Sequence, residues 1–340
     1  MKHTLLAIAL VGAFGAAQAE SSVTVYGTVD AGLVKKTDTT LAIGKRDNNK
    51  LGFKGVEDLG DGLKALFQLE IRYEPDTGTI ESVTRPLFQG QSRVGLQGNF
   101  GTVRLGRGLT ALMESVDMVE PWSGVPSVAG YKTDLAVAGY SSDPLSPAGN
   151  SGNRFSNALF YNTPDFGGFQ VNATVGTKEA NSGVAVVGKG TAALPQYGAN
   201  AEASANPYSF SATYKMGMFG AVAAYERNAI ETTLGVIGGY VMPMSDLKLM
   251  ASYESEDLGH TKLTNPKVTA WVLGANYTVG AGKILAGYGE KRPDGAVHTK
   301  QASLGYEYSL SKRTYVYVDL SNKKAATTVN FYSVGMHHNF

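Results

Sequence analysis

Val23-Thr24-Val25-Tyr26-Gly27-Thr28-Val29-Asp30-Ala31-Gly32-Leu33 sets apolar or small residues at its odd positions and Thr, Tyr, Thr and Asp at positions 24 to 30. Successive side chains of a strand point to opposite faces, so a period of two marks a strand with one apolar and one wet face. The pattern returns along the chain. Leu63, Ala65, Phe67, Leu69, Ile71 and Tyr73 alternate with Lys64, Gln68, Glu70, Arg72 and Glu74. Phe169–Val175, Tyr208–Tyr214, Leu247–Tyr253 and Ala302–Tyr308 behave in the same way. Each run has about ten residues, the length at which a tilted strand crosses a bilayer. Ala221–Glu226, Gly235–Val241 and Val268–Tyr277 alternate poorly.

Seven short segments rich in Gly, Pro and Asp read as hairpin turns, from Glu57–Gly62 and Gly98–Gly101 to Gly280–Gly282 and Leu310–Arg313. The remaining connections are mostly longer and polar, near 35–48, 75–84, 108–152, 178–206, 256–266 and 290–297, with short ones near 229–231 and 323–327. Seven turns and eight loops separate about 16 strands. Tight turns at one rim and long loops at the other describe an all-β transmembrane antiparallel β-barrel. Closure is obligatory, because an open sheet edge in hydrocarbon leaves backbone groups unsatisfied at several kcal/mol each.

Composition agrees. The chain has 340 residues, 17 % charged, with 42 Gly, 18 Tyr and 13 Phe. Its formal charge of +1 speaks against a nucleic-acid partner. Without Cys there is no disulfide, thiolate metal site or cysteine nucleophile. Lys2 and His3, the apolar Leu5–Phe14 and the Ala17-Gln18-Ala19 triplet form a secretory signal. The expected organisation is a signal peptide over 1–19 and a barrel over 20–340. The last residues, Tyr332, Val334, Met336, His338 and Phe340, share one face and end on an aromatic ring.

These features resemble the general porins of betaproteobacteria, of the neisserial and Comamonas type. The resemblance rests on Ser22–Asp30, Leu51–Ala65 with its Glu57-Asp58-Leu59-Gly60, and Val94-Gly95-Leu96 running into Phe100–Arg107. Arg154, Asn157, Tyr161 and Pro164, the Leu310–Thr314 turn and Phe340 add to it. Asn49-Lys50 and Gly90 depart from that pattern, which puts the selectivity in doubt rather than the fold. The resemblance implies a homotrimer in the outer membrane of a Gram-negative bacterium, with the third loop folded into the lumen as a constriction.

Sixteen strands enclose a channel too wide for side chains to fill, so filtering falls to whatever narrows it. The constriction loop, about 108–152, carries Glu114, Asp117, Glu120, Asp134 and Asp143 against Lys132 alone. Alternation turns Lys50, Lys54, Arg72, Arg93 and Arg104 toward the lumen; Arg154 is read as inward, and Arg107 lies where strand passes into loop. The expected site is this basic wall, Lys50, Lys54, Arg72, Arg93, Arg104, Arg107 and Arg154, facing the acidic loop through Glu114, Asp117, Glu120 and Asp134. Opposed charges across a narrow lumen pass small polar solutes, and an excess of Lys and Arg favours anions. The expected function is passive diffusion of ions and small hydrophilic solutes with a weak anion preference.

A substrate-specific outer-membrane channel is the alternative. An outer-membrane enzyme needs a Ser–His or Asp–His constellation. His260, His298, His337 and His338 stand in no such motif. No cofactor is expected, and no metal, because no EF-hand spacing of oxygen ligands occurs. Membrane lipid and small solutes are the expected contacts.

Overall fold

A computed structural model describes residues 22–83, 85–145, 152–178 and 202–340. The signal-peptide expectation for 1–19 lies outside these residues, as do 146–151 of the long loop and most of 178–206. The described strands are β1 (Ser22–Lys36), β2 (Ala42–Gly44), β3 (Lys50–Gly60), β4 (Leu63–Arg72), β5 (Gln91–Gly98), β6 (Gly101–Leu109), β7 (Arg154–Asn162) and β8 (Phe169–Gly176). They continue as β9 (Tyr208–Met216), β10 (Phe219–Arg227), β11 (Thr233–Met244), β12 (Leu247–Asp257) and β13 (Lys267–Val279). The last four are β14 (Gly282–Pro293), β15 (Thr299–Ser309), β16 (Thr314–Lys324) and β17 (Thr328–Asn339).

All pair antiparallel in one sheet of seventeen members. β2 is a three-residue piece on the edge of β1; the other sixteen form the wall. The ring closes where β1 meets β17, from Thr28↔Asn339 to Lys36↔Phe331. Gly27 and Phe340 exchange backbone hydrogen bonds of 3.2 and 3.1 Å at this seam. Every short turn read from the sequence joins two strands at one rim, and the long connections gather at the other. That asymmetry makes the short-turn rim periplasmic.

The wall sorts its side chains by parity. Val25, Leu33, Val94, Leu105, Phe210, Leu273, Leu304 and Val334 stand exposed on the outer face. Phe100, Phe166, Phe169, Phe219, Tyr277 and Tyr308 lie near the periplasmic turns, the position of an interfacial aromatic girdle. Thr28, Asp30, Glu70, Gln91, Ser211, Gln301 and Asp319 are buried on the inner face.

The three segments that alternate poorly have a physical explanation. Val222, Leu234, Val236, Val268, Ala270 and Val272 belong to β10, β11 and β13, point inward, and are buried. The constriction loop covers those of β11 and β13. Leu112, Met113, Val116, Val137 and Tyr140 of the loop pack with Leu234, Val236, Val268 and Ala270. Trp122, Tyr131 and Leu135 pack with Val272, Leu285 and Phe331. These strands are apolar on both faces because one meets lipid and the other meets protein. Each such burial is worth about 1.5–3 kcal/mol, which holds the loop to one side of the lumen.

Candidate functional site: the lumen constriction

The loop leaves β6 through Thr110, the N-cap of a short helix, α1 (Ala111–Ser115), and accepts a hydrogen bond from the Met113 amide. The first amides of a helix have no intrahelical partner. Here the wall supplies them: Ala111 N donates to Thr174 Oγ1 at 3.0 Å and Leu112 N to Ser209 Oγ at 2.9 Å. Thr110 also donates to the buried Glu226. The chain then crosses to the far wall, where Trp122 Nε1 and Ser127 Oγ each donate to Asp319 at 3.0 Å. Gln301 Nε2 donates to the carbonyls of Ala129 and Gly130 at 3.1 and 3.0 Å. Tyr131 lies over Gly287 so closely that a Cβ there would come within 2.5 Å of its ring.

Between this loop and the opposite wall lies a cavity of about 460 Å³. Lys50, Arg72, Arg107 and Arg154 of the expected basic wall line it, together with Arg85, Lys132, Asp47, Glu81 and Asp117. Arg154 Nε donates to the Gly90 carbonyl and Nη1 to Asn153, both at 2.6 Å. Arg107 Nε donates to the Gln89 carbonyl at 3.0 Å and Nη1 to Ser156 at 2.6 Å. Carbonyl and hydroxyl oxygens hold both guanidinium groups toward the cavity, and the loop acid Asp143 is close enough to act on Arg107. Arg72 is different, with Glu70 at 2.9 Å.

Arg107 reaches the lumen through an irregularity. Strict parity with Val103 and Leu105 would send it outward. Between β6 and β7 the register shifts at Gly106/Gly108, with Gly106 at φ +127° and Asn157 at φ +47°. Gly tolerates such a φ at no steric cost, and a bulge re-aims the next side chain.

Lys54, Arg93 and Arg104 stand nearer the periplasmic rim and outside this cavity. Lys54 lies over the Tyr26 ring at 5.4 Å. Arg93 contacts Gln68 and, at 3.4 Å, Glu114; Arg104 donates to Asn162.

The four loop acids divide. Glu114 and Asp117 border the lumen, and Asp117 is 2.5 Å from Lys132. Glu120 is 1 % exposed and faces the loop's own backbone, accepting from Gly124 N at 2.9 Å and Tyr131 N at 3.0 Å. Burial pushes its carboxyl up. Buried amides require an acceptor, and Glu120 is theirs. Asp134 forms ion pairs with Lys291 and Lys323 on the far wall.

Burial alone would raise Asp134, but the two ammonium groups overcome it and hold the carboxyl below its usual range. A depressed pKa means that the tie is complete above about pH 4 and lost as pH falls through the depressed value. Brief closures in planar-bilayer recordings are expected to appear only below about pH 4. Asp134→Asn should show them at neutral pH. Identical traces from the variant and the parent at pH 7 would dispose of this tie.

Sequence reading missed Arg46, Arg85, Lys291, Lys323 and Asp319. Parity on β14 and β16 puts Lys291, Asp319 and Lys323 inside and is enough to find them. Arg46 and Arg85 sit in connections, where alternation carries no signal.

Comparison with known proteins agrees with the architecture. Residues 5–328 match the Gram-negative porin family. The outer membrane porin protein 32 of Delftia acidovorans is 32 % identical over 360 aligned residues, covering 96 % of this chain and 92 % of that protein. Among solved structures, the anion-selective porin from Comamonas acidovorans superposes with a TM-score of 0.74 at 23 % identity, over 94 % of this chain and all of the other. The trimer form of OmpT from Vibrio cholerae gives 0.67 at 15 % identity, over 94 % and 99 %. The chain belongs to the Gram-negative porin family and is an outer-membrane channel through which ions and small hydrophilic solutes diffuse.

Proposed function

We propose that this channel is a general diffusion pore with a weak preference for anions, working as a homotrimer after removal of residues 1–19. The observation that carries the reading is the charge lining the constriction. Among the described residues lining the cavity, six cations, Lys50, Arg72, Arg85, Arg107, Lys132 and Arg154, stand against three acids, Asp47, Glu81 and Asp117. Glu70 lies beside Arg72, and Asp143 acts on Arg107. Two further loop acids are withdrawn, Glu120 as a backbone acceptor and Asp134 into the far wall. An excess of fixed cations in a narrow, low-dielectric lumen raises the local anion concentration. Lys54, Arg93 and Arg104 extend the same sign toward the periplasm, while Glu114 offsets part of it. The trimer form of the Vibrio protein supports the proposed assembly.

Ion substitution in planar bilayers tests this reading. Replacing chloride by gluconate is expected to cut the single-channel conductance several-fold, whereas replacing potassium by Tris leaves most of it. Conductance steps should come in triplets and grow with salt without saturating. Saturation, or block by a single solute, would favour a substrate-specific channel.

A further inference from the structure

The outer face of β13 to β16 carries a groove of about 640 Å³ that the channel function leaves unused. Its floor is Ala275, Ala286 and Ala302, and its sides are Tyr288, Leu304 and Tyr332. These residues share the outward parity, with Ala275↔Ala286, Ala286↔Leu304 and Tyr288↔Ala302 directly opposite across the strands. Small residues at three adjacent positions leave a furrow in an otherwise bulky lipid-facing wall.

Directly above it, toward the long-loop rim, the same outward face turns cationic. Lys300 is two residues from Ala302, and Lys324 is its cross-strand partner. Residues two apart on a strand lie about 7 Å apart on one face. Arg292 and Lys300 keep about half of their side-chain surface exposed. Glu290, opposite Lys300, gathers them, with Arg292 at 2.7 Å, His298 at 3.1 Å and Lys300 at 3.9 Å. Arg292 and Lys300 around one carboxylate, with Lys324 opposite Lys300, leave a net positive head over an apolar trough. Trp271 and Tyr288, ring centroids 5.6 Å apart, sit just below the charges, where amphipathic rings belong at a membrane interface.

We propose that this face is a binding site for a phosphorylated, acylated lipid of the outer leaflet. Arg292, Lys300 and Lys324 hold a phosphate of the headgroup, and one acyl chain lies along the alanine floor. Arg and Lys are the side chains suited to phosphate, and each basic residue near an anionic lipid surface contributes about 1 kcal/mol. A free phosphate has no use for the groove, and an uncharged lipid has none for the cations. The full site calls for both halves in one molecule.

The test is a lipid titration of the detergent-solubilised, conducting protein, followed by native mass spectrometry and thermal unfolding. A bisphosphorylated, hexa-acylated glucosamine disaccharide is expected to bind and raise the unfolding temperature. Its dephosphorylated form and inorganic phosphate should bind at least tenfold more weakly. The triple variant R292Q/K300Q/K324Q should lose tenfold or more in affinity for the phosphorylated lipid with its channel conductance unchanged. Ala302→Trp, which fills the furrow and leaves the charges in place, should weaken binding to a similar degree. Undiminished binding by either variant would overturn the site. So would inorganic phosphate matching the lipid, or the absence of any lipid-dependent stabilisation.

Discussion

Replacing both Arg107 and Arg154 by Gln is expected to move the pore from the proposed weak anion preference to a cation preference. Both guanidinium groups line the cavity, and each donates to a carbonyl, at Gln89 and Gly90. A unit charge at 4 Å is worth about 1 kcal/mol even at the dielectric of water. At the longer distances of an ion passing through a hydrated, salt-screened lumen each charge is worth only a fraction of that. Losing two is therefore expected to shift the anion-to-cation permeability ratio by about tenfold. Gln keeps a donor for the carbonyls, so the wall should hold its shape. Two contrasts make the result specific. Glu120→Gln should move the ratio little, because Glu120 is buried against Gly124 and Tyr131. Lys312→Gln should also do little, because Lys312 lies in the exposed β15–β16 turn at the periplasmic rim. A double Arg variant with the parent's permeability ratio would remove Arg107 and Arg154 from the filter.

Arg46→Ala is expected to be the most damaging single change outside the strands. Its guanidinium is fully buried, with Nη1 2.7 Å from Glu307 and Nε 3.0 Å from Asp319, and it lies over the Tyr317 ring at 4.8 Å. Its amide donates to Asp30 at 2.6 Å. Asp319 is also the acceptor for Trp122 and Ser127, so one carboxylate joins the Lys45–Asn49 segment, the constriction loop and the far wall. Removing one partner of a buried pair leaves the other charge uncompensated and costs about 3–5 kcal/mol. A lower thermal transition and frequent closures of the conducting state should follow. Arg46→Lys should rescue little, because one ammonium cannot hold two carboxylates as a planar fork does. A transition temperature equal to the parent's would show that the loop is held by its apolar contacts alone.

Most of the barrel is legible in the sequence, because lipid and water impose a period of two wherever they bound the two faces of a strand. The hairpin turns are legible for a related reason: Gly60, Gly62, Gly101, Gly217 and Gly280 have positive φ, and the chain can turn tightly there. Legibility fails where a third environment enters. Ala224, Val236 and Val272 face protein on the inside, so β10, β11 and β13 lose their alternation at the places where the loop lies against them. Parity finds Lys50, Arg72 and Arg93, but it fails at Arg107, whose direction depends on the Gly106 bulge. Acid count in the loop also misleads. Five carboxylates suggest an acidic rim, yet Glu120 serves the backbone and Asp134 is spent on two lysines. Composition counts charges without telling which ones the solute meets.

The central claim is that fixed cations outnumber the acids a permeating ion encounters at the narrowest point. It is tested most directly by the zero-current potential of the unmodified protein in a bilayer separating tenfold different KCl concentrations at neutral pH. A potential of the sign set by chloride moving down its gradient is the expected result. A potential set by potassium would mean that the loop acids dominate the lumen, and it would contradict the account.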